Sequence, residues 1–245
     1  YQHMDSEGEA GFQVGPIDLD IRKGQVTFIV GGNGSGKSTL SKLLTLHYAA
    51  SEGDILYGQT RLTEANFAAC RQMIGSIYSD YYLFDRLLCE HKPEEEERIQ
   101  EYLALLKLEG KVTIDGRKFS TMALSDGQRK RLALLAALLE DKDIYLFDEW
   151  AADQDPSFKE VFYRRIVHEL KARGKAVIVI SHDDRFFDEA DRLIYMEQGR
   201  VREVVDSQRD VAALENADPL SGVHSDRFVR SAQTQKAYAF VKEDQ

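Results

Sequence analysis

The apolar run Val26–Val30 stops at a stretch in which four of the next six residues are glycine, and a helical pattern follows from Ser38 to about Ala49. Five residues in a row, apolar but for Thr27, read as a strand buried on both faces, which belongs in a parallel sheet covered by helices. Between strand and helix, Gly31-Gly32-Asn33-Gly34-Ser35-Gly36-Lys37-Ser38 fits the spacing G-x-x-x-x-G-K-[ST]. Glycines let backbone N–H groups close around phosphate oxygens, and the helix N-terminus adds partial positive charge. Asn33, Gly34, Ser35, Gly36 and Thr39 are expected around the phosphates, with Lys37 reaching the β- and γ-phosphates and the Ser38 hydroxyl ligating Mg²⁺. Strand, glycine loop and helix together open a nucleotide-binding α/β unit.

The rest of the chain extends that alternation. Residues 17–21 alternate apolar and acidic, as a half-buried strand does. Residues 144–147 form a second buried strand ending in Asp148-Glu149. A carboxylate at a neighbouring strand end holds Mg²⁺ where the phosphates lie, the role expected of Asp148, while Glu149 is placed to orient or deprotonate the attacking water. A helix is expected over 156–172, a strand over 176–180 followed by His182 at the same sheet edge, and a closing hairpin from 193–196 and 201–205. Between them, residues 83–108 carry few strand signals, and the acidic run 94–97 reads as the solvated face of a helix. A further helix is expected from Gly127 to about Leu139, with Ser125 and Gln128 at capping-box spacing.

Composition narrows the classes of function. The 245 residues are 43% hydrophobic, with 32 Lys+Arg against 42 Asp+Glu and a formal charge of −10, which describes a soluble globular chain. The acidic balance argues against nucleic acid as a partner, since phosphate-backbone binding needs clustered Lys and Arg. The longest apolar stretch, 132–139, is far short of the ~20 residues that cross a bilayer. Cys70 and Cys89 are too few for a disulfide framework.

Leu124-Ser125-Asp126-Gly127-Gln128, taken with the glycine loop, Asp148-Glu149 and His182 in this order, resembles the signature sequence of ATP-binding cassette (ABC) proteins. The resemblance covers roughly residues 1–205. It implies a P-loop NTPase with a RecA-like core, an N-terminal antiparallel β-subdomain and an inserted α-helical subdomain. The core would comprise 1–78 and 141–205, the insertion about 79–140, and a C-terminal extension 206–245. It further implies ATP and Mg²⁺ as ligands, with Glu149, His182 and Lys37 in the catalytic roles. Two cassettes of the family pair head to tail, so Ser125, Asp126, Gly127 and Gln128 would face the partner's ATP, and Asp155 falls at the D-loop aspartate that communicates between sites. Tyr1 is expected to stack on adenine, with Phe12 the alternative.

A narrower resemblance rests on residues 15–19, 31–37, 127–134, 147–156 and 181–185, with Trp150 where Pro usually follows the catalytic Glu. These look like the cassette of bacterial cyclic-peptide and siderophore exporters, the group containing the syringomycin and pyoverdine exporters. In that group a transmembrane domain precedes the cassette in one chain, so such a domain is expected upstream of Tyr1 and the cassette on the cytoplasmic side of the inner membrane. Two positions depart from the family pattern. Asp126 replaces a glycine, and Ser79 stands where a glutamine usually lies near Mg²⁺ and the attacking water, close enough to act only directly or through a water.

Overall fold

The computed structural model describes residues 1–4, 10–89, 95–207 and 238–242. In chain order the elements are β1 (Gln2–Met4), β2 (Ala10–Gln13), β3 (Asp18–Arg22), β4 (Val26–Val30), α1 (Lys37–Leu44), β5 (Leu56–Tyr57), β6 (Thr60–Arg61), α2 (Phe67–Gln72) and β7 (Ile74–Ile77). There follow α3 (Glu96–Leu105), β8 (Ile114–Asp115), β9 (Lys118–Phe119), α4 (Asp126–Leu139), β10 (Ile144–Asp148), α5 (Pro156–Val161), a π-helical turn Phe162–Ile166, α6 (Val167–Ala172) and β11 (Ala176–Ile180). A 3₁₀ turn Asp184–Glu189, β12 (Arg192–Glu197), β13 (Arg200–Asp206) and β14 (Tyr238–Lys242) complete the described chain.

Six strands form the central sheet in the order β13-β12-β4-β11-β10-β7, all parallel except the edge strand β13. As the apolar runs predict, every residue of β4, β10 and β11 is buried. Helices and loops therefore cover both faces, and apolar clusters form on each side. One gathers Val26, Phe28, Phe147 and Val179 with Ile99, Leu103, Leu132 and Leu135 of α3 and α4, so the helical insertion shares its core with the sheet. The other gathers Ile29, Leu146, Ile178 and Ile194 with Leu40 and Leu44 of α1. The order β4-β11-β10 places residues 31, 181 and 149 side by side at the carboxyl ends of parallel strands, where open α/β sheets bind ligands. Among the described residues no helix is long and apolar enough to cross a membrane.

Three elements differ from their sequence expectations. The helix expected to reach about Ala49 ends at Leu44, because Leu46 takes a left-handed φ of 60° and the N–H groups of His47 and Tyr48 turn back to the Lys42 carbonyl at 2.8 and 3.1 Å. The helix expected over 156–172 contains the π turn, whose extra residue brings Phe162, Tyr163 and Ile166 all into the core. There Phe162 packs on Phe147 and on Trp150, at centroid distances of 5.1 and 4.7 Å. The N-terminal antiparallel strands are divided into separate two-stranded ladders, β1 with β2 and β5 with β6, while β3 runs parallel to β14 of the C-terminal extension.

Candidate functional site

The glycine loop leaves β4 and enters α1 without a side-chain cap: Gly36 occupies the N-cap at φ 101°, and no acidic residue lies in the first turn. Glycine is required at both ends of the loop. A Cβ on Gly31 would lie 2.3 Å from the Met196 carbonyl oxygen, and one on Gly36 would meet Val14 Cγ2 at 3.1 Å in a conformation that L side chains rarely adopt. The first-turn N–H groups of α1 thus have no acceptor from a capping side chain and suit an anion. Ser35 Oγ is buried there with no hydrogen-bond partner, which fits a ligand that brings its own acceptors. Lys37 is buried and donates to the Gly31 and Gly32 carbonyls at 2.9 and 3.0 Å. Burial lowers its pKa, and the charges of Glu149 and Asp148 act against that shift. Asn33 and Ser38 are exposed at the loop and Thr39 is half-buried.

Asp148 closes β10 and is buried; desolvation raises its pKa, while the Ser41 hydroxyl, donating to Oδ2 at 3.0 Å, and the charge of Lys37 oppose the rise. A buried carboxylate at a strand end and an exposed serine hydroxyl at the phosphate loop are hard oxygen donors of the kind that hold Mg²⁺ together with substrate phosphates. Glu149 leaves the sheet with φ 51°, a left-handed conformation that costs on the order of 1–3 kcal/mol in a non-glycine residue. Its backbone N–H donates to the Ile180 carbonyl at 3.0 Å, and Trp150 behind it is almost wholly buried against Phe158 and Phe162. His182 Nε2 lies 3.0 Å from Glu149 Oε1, both side chains partly exposed. Loop, carboxylate pair and histidine therefore meet at one sheet edge.

The segment matched by the ABC transporter family model runs from residue 14 to 152 and so contains the glycine loop and Asp148-Glu149. The chain belongs to the ABC transporter family. It is an ATP-binding cassette of that family and an ATPase by class. It is 46% identical over 203 residues to the ATP-binding protein SyrD of Pseudomonas syringae pv. syringae, covering 80% of this chain and 35% of SyrD. It is 34% identical over 221 residues to a probable export ATP-binding/permease protein of Pseudomonas fluorescens, covering 83% of this chain and 33% of that protein. The cassette thus spans about a third of the length of these relatives. Its fold matches the dimeric bacterial ABC transporter cassette MJ0796 with a TM-score of 0.69 at 23% identity, over 84% of this chain and 94% of that one.

The segment expected to be the signature, residues 124–128, leads into α4. Ser125 caps α4 through the expected capping box: its Oγ accepts from Gln128 N at 3.4 Å, and Gln128 Oε1 accepts from Ser125 N at 3.2 Å. Asp126 is exposed and accepts from Arg129 at 2.7 Å. The Gly127 carbonyl accepts from Gln154 Nε2 at 3.4 Å, tying the signature turn to the loop after Glu149. Lys130 with Asp153 at 2.6 Å, and Arg131 with Gln154 and Asp155, add to the tie. Asp155 caps α5, accepting from Phe158 N at 3.0 Å and from Ser157 Oγ at 2.6 Å. The Ser157 hydroxyl holds its carboxyl at a pKa of about 2, with the Phe158 N–H and Arg131 helping.

Tyr1 stacks on Tyr48 with centroids 4.8 Å apart and planes 7° from parallel, and its carbonyl accepts from Val14 N at 2.8 Å, beside Gly36. Phe12 is exposed. Ser79 is exposed two residues beyond β7. Sequence reasoning missed Ser41, Thr45 and Tyr78, which bond to one another beneath Asp148. The signal was there: Ser41, on the face of α1 that buries Leu40 and Leu44, stands four residues before Thr45 at the helix C-cap.

Proposed function

We propose that this cassette is the ATP-hydrolysing motor of a bacterial ABC exporter for a cyclic, non-ribosomal or siderophore-type peptide. The observation that carries the hydrolytic reading is the Glu149–His182 contact at 3.0 Å beside an uncapped phosphate loop. Asn33, Gly34, Ser35, Gly36 and Thr39 would line the phosphates, and Lys37 would exchange its loop carbonyls for β- and γ-phosphate oxygens. Ser38 and Asp148 would hold Mg²⁺, with Ser79 reaching it through a water. The ion supplies charge that neutralises the phosphates as the γ-phosphoryl group transfers. Glu149 would take the proton of the water that attacks the γ-phosphorus in line with the departing ADP oxygen, and His182 would orient the Glu149 carboxylate and the transferred phosphoryl group. Tyr1 would stack on adenine, leaving Phe12 outside the site.

Two cassettes would close head to tail on ATP, with Ser125, Asp126, Gly127 and Gln128 of one over the γ-phosphate of the other and Asp155 between the sites. The motor would comprise residues 1–205, with the core at 1–78 and 141–205 and the helical subdomain at about 79–140. Similarity to the fluorescens export ATP-binding/permease protein supports a transmembrane domain in the same native chain, while the cytoplasmic position at the inner membrane and the cargo class follow from the resemblance to cyclic-peptide and siderophore exporters. Phosphate release from ATP by the wild-type chain and by Glu149→Gln tests the motor. Binding is expected to persist in the variant while turnover falls about 10²–10⁴-fold; turnover at the wild-type rate removes Glu149 from the proton-accepting role.

A further inference from the structure

Beneath Asp148 the cassette holds a polar network in a region otherwise filled by apolar side chains. Ser41 on α1 and Thr45 at its C-cap are almost wholly buried, and Tyr78, directly after β7, reaches in to them. Ser41 Oγ spans Asp148 Oδ2 at 3.0 Å and the Ser38 carbonyl at 2.9 Å. Thr45 Oγ1 donates to the Ser41 carbonyl at 2.7 Å and meets the Tyr78 hydroxyl at 2.5 Å and His47 Nδ1 at 2.9 Å.

The donors in this network can be assigned. Arginine has no acceptor, so Arg71 Nη2, 3.2 Å from His47 Nε2, is the donor of that pair. A neutral His47 then carries its proton on Nδ1 and donates to Thr45. Since the Thr45 hydrogen goes to the Ser41 carbonyl, the Tyr78 hydroxyl donates as well. Thr45 Oγ1 is saturated by two donors and one acceptor, which fixes its rotamer and the turn of α1 that carries Ser41 and Ser38. Its buried members, Ser41 and Thr45, are hydrogen-bonded on every side, which makes this part of the network rigid.

We propose that Ser41 and Tyr78 are positioning residues of the phosphate site: Ser41 holds Asp148 by Oδ2 so that Oδ1 is presented to the metal, and Tyr78, through Thr45, locks the helical turn that carries Ser41 and joins it to the end of β7. The assignment rests on the ATPase reading above. It gives this chain a connection between the metal-binding carboxylate and the segment at Ser79 that runs through the residue before Ser79 and needs no glutamine.

The test uses the 245-residue chain with ADP and Mn²⁺, reading bound metal by electron paramagnetic resonance, and ADP affinity in EDTA. Ser41→Ala is expected to weaken Mn²⁺ binding to the ADP complex about tenfold and Tyr78→Phe about threefold, with ADP affinity in EDTA unchanged. Ser41→Thr, which keeps the hydroxyl, is expected to restore the metal affinity and separates positioning from a loss of folding. Wild-type Mn²⁺ affinity in Ser41→Ala and Tyr78→Phe overturns the proposal, as does an equal loss of ADP affinity in EDTA. A wild-type chain that binds no ADP defeats the ATPase reading itself, a distinct result.

Discussion

Two helices of this cassette begin at positions expected to meet phosphate, and they begin differently. α1 starts at Gly36 with no side-chain cap and no acid in its first turn, whereas α4 starts at Ser125 with both halves of a capping box made and Asp126 in its first turn. The first leaves its N–H groups to an incoming anion. The second satisfies two of its own, at Ser125 and Gln128, and sets a carboxylate beside them. One helix start therefore leaves its N–H groups uncapped, as an anion site requires, whereas anything that engages the other must compete with side chains already in place.

The largest expected effect comes from destroying the open start. Lys37→Ala should weaken ATP binding by roughly 100-fold or more, because a buried cation facing phosphate is lost. Ser125→Ala should leave monomer affinity for ATP within about twofold and cost only about 1 kcal/mol of stability. Isothermal titration and thermal melts on both variants read the contrast directly, and comparable losses of ATP affinity would erase it.

A smaller effect is expected at the closed start. Asp126→Gly should remove about 0.3–1 kcal/mol of helix-dipole stabilisation. In a Glu149→Gln background it should also tighten the ATP-dependent dimer a few-fold at low salt, and not at high salt, since Arg129 already offsets part of the Asp126 charge. Sedimentation across protein concentrations measures this. A dimer unchanged at low salt would mean that Asp126 acts only as a helix-start residue.

The smallest effect concerns the loop that ties the closed start to Glu149. Asp155 has its carboxyl held at about 2, below its ordinary value of 3.8. A depressed carboxylate contributes stability that is present above the unfolded pKa and is lost as pH falls through the folded one. Asp155→Asn, which keeps a capping oxygen, should therefore melt slightly below wild type at pH 6, the difference closing between about pH 4 and pH 2. Melts that stay apart by the same margin at pH 2 would contradict the assignment.

Legibility in the sequence followed the same division. Buried strands were readable because runs such as residues 26–30 and 176–180 have one solution in a covered sheet, and the loop and Asp148-Glu149 because phosphate chemistry demands those types at that spacing. The capping box was readable because it is local. What escaped were contacts set by tertiary approach: the end of α1 at Leu44, decided by the left-handed Leu46; the π turn, decided by aromatic packing around Phe162; and Tyr78 reaching Thr45 across thirty-three positions. Division of the N-terminal ladders, with β3 beside β14, depends on a strand some 200 residues away and leaves no periodic trace.

Trp150 is the sole tryptophan of the chain, is 1% exposed, and follows Glu149 directly. Its indole is therefore an optical probe that needs no labelling. Shielded from water, it should emit at short wavelength and resist quenching by iodide while the β10 end stays closed. A red shift, or quenching that appears on adding nucleotide, would time the opening of the backbone that presents Glu149, in the native chain and on the timescale of a stopped-flow mixer.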